Sequence, residues 1–167
     1  MGMASVQDRD VRPPRIGEDR LQAAVAVCAK AGAELVYLFG SQAKRKTWAE
    51  SDVDLAVLLG PSLPRERHGE IRIQLIGDLM SVFESNDVDV VILNDAPPLL
   101  TYEGVIQGGR LLFEGNRLAR IRFEVRVFQE YVDTAPLREI QNRYLGEAIR
   151  ARAVALTGDG ETRGHVW

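Results

Sequence analysis

Apolar residues fall along this chain in three strand-like runs, with helical spacing between them. Glu34 to Phe39 (ELVYLF), Asp52 to Leu59 (DVDLAVLL) and Val88 to Leu93 (VDVVIL) are β-branched or aromatic-rich and predict three strands. Leu21, Ala24, Val25, Val27 and Cys28 recur at helical spacing and predict a helix from Asp19 to Lys30, with Asp19 as its cap and Gly32 as its stop. Ile71, Leu75, Ile76, Leu79 and Phe83 predict a second helix within Arg65 to Glu84.

After the third strand, Asn94 to Pro98 marks a turn. A short helix over Leu99 to Ile106, closed by Gly108-Gly109, and a short edge strand over Arg110 to Phe113 follow. The steps of three and four residues between Leu118, Ile121, Val125, Phe128 and Val132 predict a helix whose apolar stripe packs inward. That orientation turns Arg117, Arg120, Arg122, Arg126 and Tyr131 toward a partner. Pro136 opens a last helix, expected to fray near Thr157.

This order predicts an α/β (α+β) fold, a small mixed sheet backed by helices, with further helices at the C-terminus. The expected divisions are a flexible leader at 1–17, a core at 18–115, a helical segment at 116–157 and a loose tail at 158–167. A doubly wound dinucleotide fold would carry a G-x-G-x-x-G turn after its first strand. Here Gly40-Ser41 is followed by Gln42, Ala43 and Lys44, which argues against it.

Composition narrows the function classes. With 46% hydrophobic and 27% charged residues the chain is globular, and a net charge of -3 gives no broad attraction for nucleic acid or membranes. No run approaches the ~20 apolar residues of a spanning helix. The polar N-terminus lacks a secretory core, so a cytoplasmic location is expected. Cys28, the one cysteine, lies in an apolar run and reads as a buried structural thiol. His68 and His165 are isolated and are expected at the surface.

The chemistry lies at the strand ends. Side chains two apart on a strand share a face, so Asp52 and Asp54 stand side by side. Paired carboxylates repel unless a cation lies between them, and a hard divalent ion such as Mg2+ is the natural resident. Asp89 begins the third strand. If that strand lies beside the second, three carboxylates meet at one sheet end, where two ions would serve an in-line displacement. Gly40 permits close approach to the backbone, and Ser41 offers a hydroxyl and N–H groups to a phosphate. Lys44, Arg45 and Lys46 could neutralise a triphosphate. Each part alone has an ordinary reading: a turn, edge polarity, a solvated basic loop. Their joint order over three successive strands is what points to nucleotidyl transfer.

Residues 38 to 58, LFGSQAKRKTWAESDVDLAVL, resemble the signature of the DNA polymerase beta nucleotidyltransferase superfamily: Gly-Ser, a spacer of about ten residues, Asp-x-Asp, then a later carboxylate on a strand. The chain is more closely similar to the minimal nucleotidyltransferases, antitoxins paired with HEPN-domain toxins. GVIQGGRLLFEGNRLARIRFEVRVFQEYVD fits that group, ending in Tyr131 and Asp133. The resemblance covers roughly residues 20 to 150. It implies that Asp52 and Asp54 hold Mg2+ and the phosphates of ATP, that Asp89 completes the metal site and helps deprotonate the acceptor, and that Gly40 and Ser41 bind the triphosphate. It implies AMP transfer to a hydroxyl, a tyrosine of a HEPN toxin. Ala43-Lys44-Arg45 departs from the Ala-Arg-Gly of many relatives and makes the loop stiffer and more basic. Two alternatives stay open: a non-catalytic antitoxin that acts by steric binding, and an antibiotic-type nucleotidyltransferase. About 70 residues follow the third strand, which leaves little room for a small-molecule acceptor domain.

Overall fold

A computed structural model describes residues 16–43 and 52–158. The expected leader and tail lie almost wholly outside them. The chain forms two compact units, Met1–Phe128 and Gln129–Trp167.

In the first unit, α1 (Glu18–Lys30) leads into β1 (Ala33–Phe39) and the single turn α2 (Gly40–Ala43). Next come β2 (Val53–Leu59), a 3-10 turn (Arg65–Arg67) and α3 (His68–Phe83). β3 (Val88–Ile92), a π-helical segment (Leu100–Gln107), β4 (Arg110–Glu114) and α4 (Arg117–Asp133) complete the series. The sheet order is β3-β2-β1-β4. β1 is antiparallel to both β2 and β4, while β2 and β3 run parallel. The mixed α/β architecture expected from the sequence is therefore the one observed.

Alternation along the strands divides the core into two layers. Val36, Leu38, Val53, Leu55, Val57, Val88 and Val90 face α1 and α3, which contribute Leu21, Ala24, Cys28, Ile71, Leu75, Leu79 and Phe83. Leu35, Tyr37, Ala56 and Leu58 point the other way, toward Val105, Phe123 and Val127. Burial pushes the Cys28 thiol up to about 12, as suits a packing group rather than a nucleophile. Gly32, at φ 93, ends α1 in a conformation that favours glycine.

Three expectations are corrected. Asp19 does not cap α1: the capping position is Gly17, no side chain bonds there, and Asp19 lies in the first turn, where its charge suits the helix N-terminus. His68 is buried, because the 3-10 turn sets it at the start of α3 with Nδ1 2.6 Å from Asp95 Oδ2. That hydrogen bond is the chief reason the Asp95 carboxyl lies below its usual range.

The third correction is the orientation of α4. Leu118, Ile121, Val125, Phe128 and Val132 are 45–64% exposed, and Phe123 and Val127 are the residues that meet the sheet. Polar contacts fix this rotation. Tyr37 Oη donates to Glu124 Oε1 at 2.9 Å, and Arg120 Nε lies 2.6 Å from Glu114 Oε2. Arg120 is therefore occupied within its own unit, and Arg126 stacks over the Phe123 ring. Phe123→Ala should lower stability by about 3–4 kcal/mol, whereas Ile121→Ala should cost under about 1 kcal/mol. Denaturant midpoints of the two variants check this, and equal losses would contradict the observed rotation.

The second unit holds the end of α4 and α5 (Ala135–Gly158), with Pro136 in the first turn of α5 as expected. Arg138 Nη1 donates to Tyr131 O and Thr134 Oγ1, both at 2.6 Å. Its guanidinium lies 3.9 Å from the centre of the Tyr131 ring, so Tyr131 is engaged at the helix junction rather than turned outward.

Candidate active site

The register of three strands builds the site. Phe39 pairs with Asp54 across β1 and β2, and Asp54 pairs with Asp89 across β2 and β3. The end of β1, the start of β2 and the start of β3 therefore meet at one end of the sheet. Asp52, just before β2, is exposed, and Asp54 is partly buried. The expected adjacency of the second and third strands is met.

Gly40 follows Phe39 at φ 72, in the left-handed region. A Cβ built on it would lie 2.2 Å from Asp54 Oδ2. The backbone conformation favours glycine, and any side chain here would have to displace the Asp54 carboxylate. Ser41 is half-buried in the α2 turn. Lys44 and Arg45 lie outside the described residues.

The electrostatics follow from this crowding. The Asp54 carboxyl is held above its ordinary range, first by burial and then by the charges of Asp52 and Asp89. Asp89 has one oxygen engaged: Oδ1 accepts from Arg72 Nη2 and from Val90 N, each at 2.8 Å. Arg72 was not singled out from the sequence. Within Ile71-Arg72-Ile73 nothing distinguishes it from an ordinary solvated arginine, and only the α3–β3 packing brings it to Asp89.

A hard divalent ion fits the oxygen chemistry of these carboxylates, and it would relieve the repulsion felt at Asp54. Among the described residues no three acidic, histidine or cysteine groups are gathered into a ready-made cluster. The arrangement is thus an open set of donors rather than a closed cage.

The family model "Polymerase beta, Nucleotidyltransferase" matches residues 25–118, more than half of the chain and every element of the site. The chain belongs to this family. It is 36% identical over 78 residues to "Protein adenylyltransferase MntA" of Shewanella oneidensis, covering 47% of this chain and 52% of that protein. It thus spans about half the length of this curated relative. Among solved structures, it is similar to a chain of a crystal structure of a toxin–antitoxin with AMP-PNP. The TM-score there is 0.63 and the identity 26%, over 78% of this chain and 99% of that one. A complex of a tri-AMPylated Shewanella oneidensis HEPN toxin with an MNT antitoxin shares the fold, at TM-score 0.60 and 24% identity over 77% and 98% of the two chains. Among the described residues no helix is long and apolar enough to cross a membrane.

Proposed function

We propose that this chain is an antitoxin that transfers AMP from ATP to a hydroxyl, a tyrosine, of a partner HEPN-type toxin, with divalent metal ions held by Asp52, Asp54 and Asp89. The observation that carries this reading is the placement of Asp54, against Gly40 on one side and in register with Asp89 on the other. It supports a reading in which the Gly40-Ser41 turn grips phosphates beside the carboxylates. The similarity to an adenylyltransferase and to a chain from an AMP-PNP-bound toxin–antitoxin structure supports ATP as the donor. The exposed apolar residues of α4 favour a protein acceptor, since such a stripe on a small domain marks a surface for another chain.

The acceptor oxygen attacks the α-phosphorus, the bond to the β-phosphate oxygen breaks, and pyrophosphate leaves. Asp89 accepts the hydroxyl proton. Gly40 and Ser41 grip the phosphates, and Asp54 would hold a divalent ion beside the turn. Bound divalent ions would supply charge neutralisation at the attacking and leaving oxygens.

In the test, the chain is mixed with a HEPN-type toxin and labelled ATP, in Mg2+ or in EDTA, and the toxin is weighed by mass spectrometry. The expected result is an added AMP on a toxin tyrosine in Mg2+ alone. A toxin that is inhibited but carries no added mass would establish steric binding instead. ATP affinity that is equal in Mg2+ and EDTA would remove the metal from the reading.

A further inference from the structure

β3 is an edge strand, and the peptide groups along an edge lack a neighbouring strand. At Val90 two side chains take its place. The Val90 N–H donates to Asp89 Oδ1 at 2.8 Å, and the Val90 carbonyl accepts from Arg72 Nε at 2.6 Å. The other arm of the same guanidinium, Nη2, donates to Asp89 Oδ1 at 2.8 Å. Guanidinium, carboxylate and the two peptide groups of Val90 therefore close a single ring. Turning the Asp89 side chain would break two hydrogen bonds at once. Among the described residues none bonds Oδ2.

We propose that Arg72 is a positioning residue for the transfer reaction, fixing Asp89 through Oδ1 so that Oδ2 stands ready for a metal ion or the acceptor proton. The inference rests on the role given to Asp89 above. Two features of Arg72 suit it to the task. Its planar fork reaches a carbonyl and a carboxylate together, which the single ammonium of lysine cannot do in the same geometry. Its charge also lies beside Asp89, whose own charge acts on Asp54, and among the described residues it is the cation ion-paired with Asp89. The ordinary alternative is that Arg72 merely covers the edge of β3. That alternative predicts lost stability and nothing else.

The experiment uses the full chain with its toxin and compares wild type with Arg72→Lys and Arg72→Met. Three quantities are read: kcat and KM for ATP, Mn2+ affinity by electron paramagnetic resonance with AMP-PNP present, and melting temperature in EDTA. Residues that orient a metal ligand cost about 10–100-fold in affinity or activity when removed. We therefore expect kcat to fall by about that factor in both variants, with KM for ATP changed less than about threefold. Mn2+ affinity should weaken by about tenfold. A lower melting temperature with unchanged kcat and Mn2+ affinity would overturn the proposal and leave an edge cap. Tighter Mn2+ binding in Arg72→Met would overturn it too, since Arg72 would then be a competitor that the ion displaces. If wild type transfers no AMP, the proposed function fails, and the Mn2+ titration alone decides the role of Arg72.

Discussion

Asp54→Asn is expected to abolish AMP transfer, by about 10²–10³-fold or more, while leaving the folded chain at least as stable as wild type. Loss of transfer follows from position. Asp54 stands against Gly40 and in register with Asp89, the position the proposed site depends on. The stability result follows from its raised proton affinity. The folded chain holds the Asp54 proton more tightly than the unfolded chain, so ionising the group weighs against folding. That penalty is complete above the folded value and vanishes as the pH falls through it toward the ordinary carboxylate range. Asparagine carries no such penalty. In EDTA, melting temperatures should therefore be equal to or above wild type at pH 8, and the difference should narrow as the pH is lowered. Adding Mg2+ should raise the melting temperature of wild type more than that of the variant. A large drop for the variant in EDTA would mean that Asp54 serves the fold rather than a ligand.

Gly40→Ala is expected to lose transfer about as severely, with the opposite effect on stability. An alanine at φ 72 costs on the order of 1–3 kcal/mol in backbone strain. Its Cβ would also stand 2.2 Å from Asp54 Oδ2, so either the turn or the carboxylate must yield by about 1 Å. A displacement of that size in a catalytic group can cost about 10²-fold in rate. The melting temperature should fall by several degrees in both EDTA and Mg2+. The pair of variants thus separates two faults, a missing charge in a sound scaffold and an intact charge held in the wrong place. Wild-type turnover in Gly40→Ala would sink the view that this turn sets the position of Asp54.

What could be read along the chain was whatever depends on neighbours in sequence. ELVYLF, DVDLAVLL and VDVVIL became strands, since β-branched residues suit extended backbone and turn residues bound each run. A period of two predicted Asp52 and Asp54 on one face before any partner strand was known, though β2 begins only at Val53. The stripe of Ile71, Leu75, Ile76, Leu79 and Phe83 gave the inward face of α3, with Ile76 only partly buried, because that helix offers one apolar face and lies against the sheet.

Tertiary packing decided the rest. The register that sets Asp54 opposite Asp89 depends on β2 and β3 running parallel, a long-range pairing that no local pattern specifies. In α4 the stripe from Leu118 to Val132 outnumbers Phe123 and Val127, yet the smaller set is buried. Periodicity shows that an apolar face exists; which face turns inward depends on shape and on polar anchors such as Tyr37–Glu124 and Arg120–Glu114. His68 was expected at the surface and Arg72 was not singled out for the same reason. Their partners, Asp95 and Asp89, lie 27 and 17 positions away, and only the return of the chain from α3 into β3 brings them within reach.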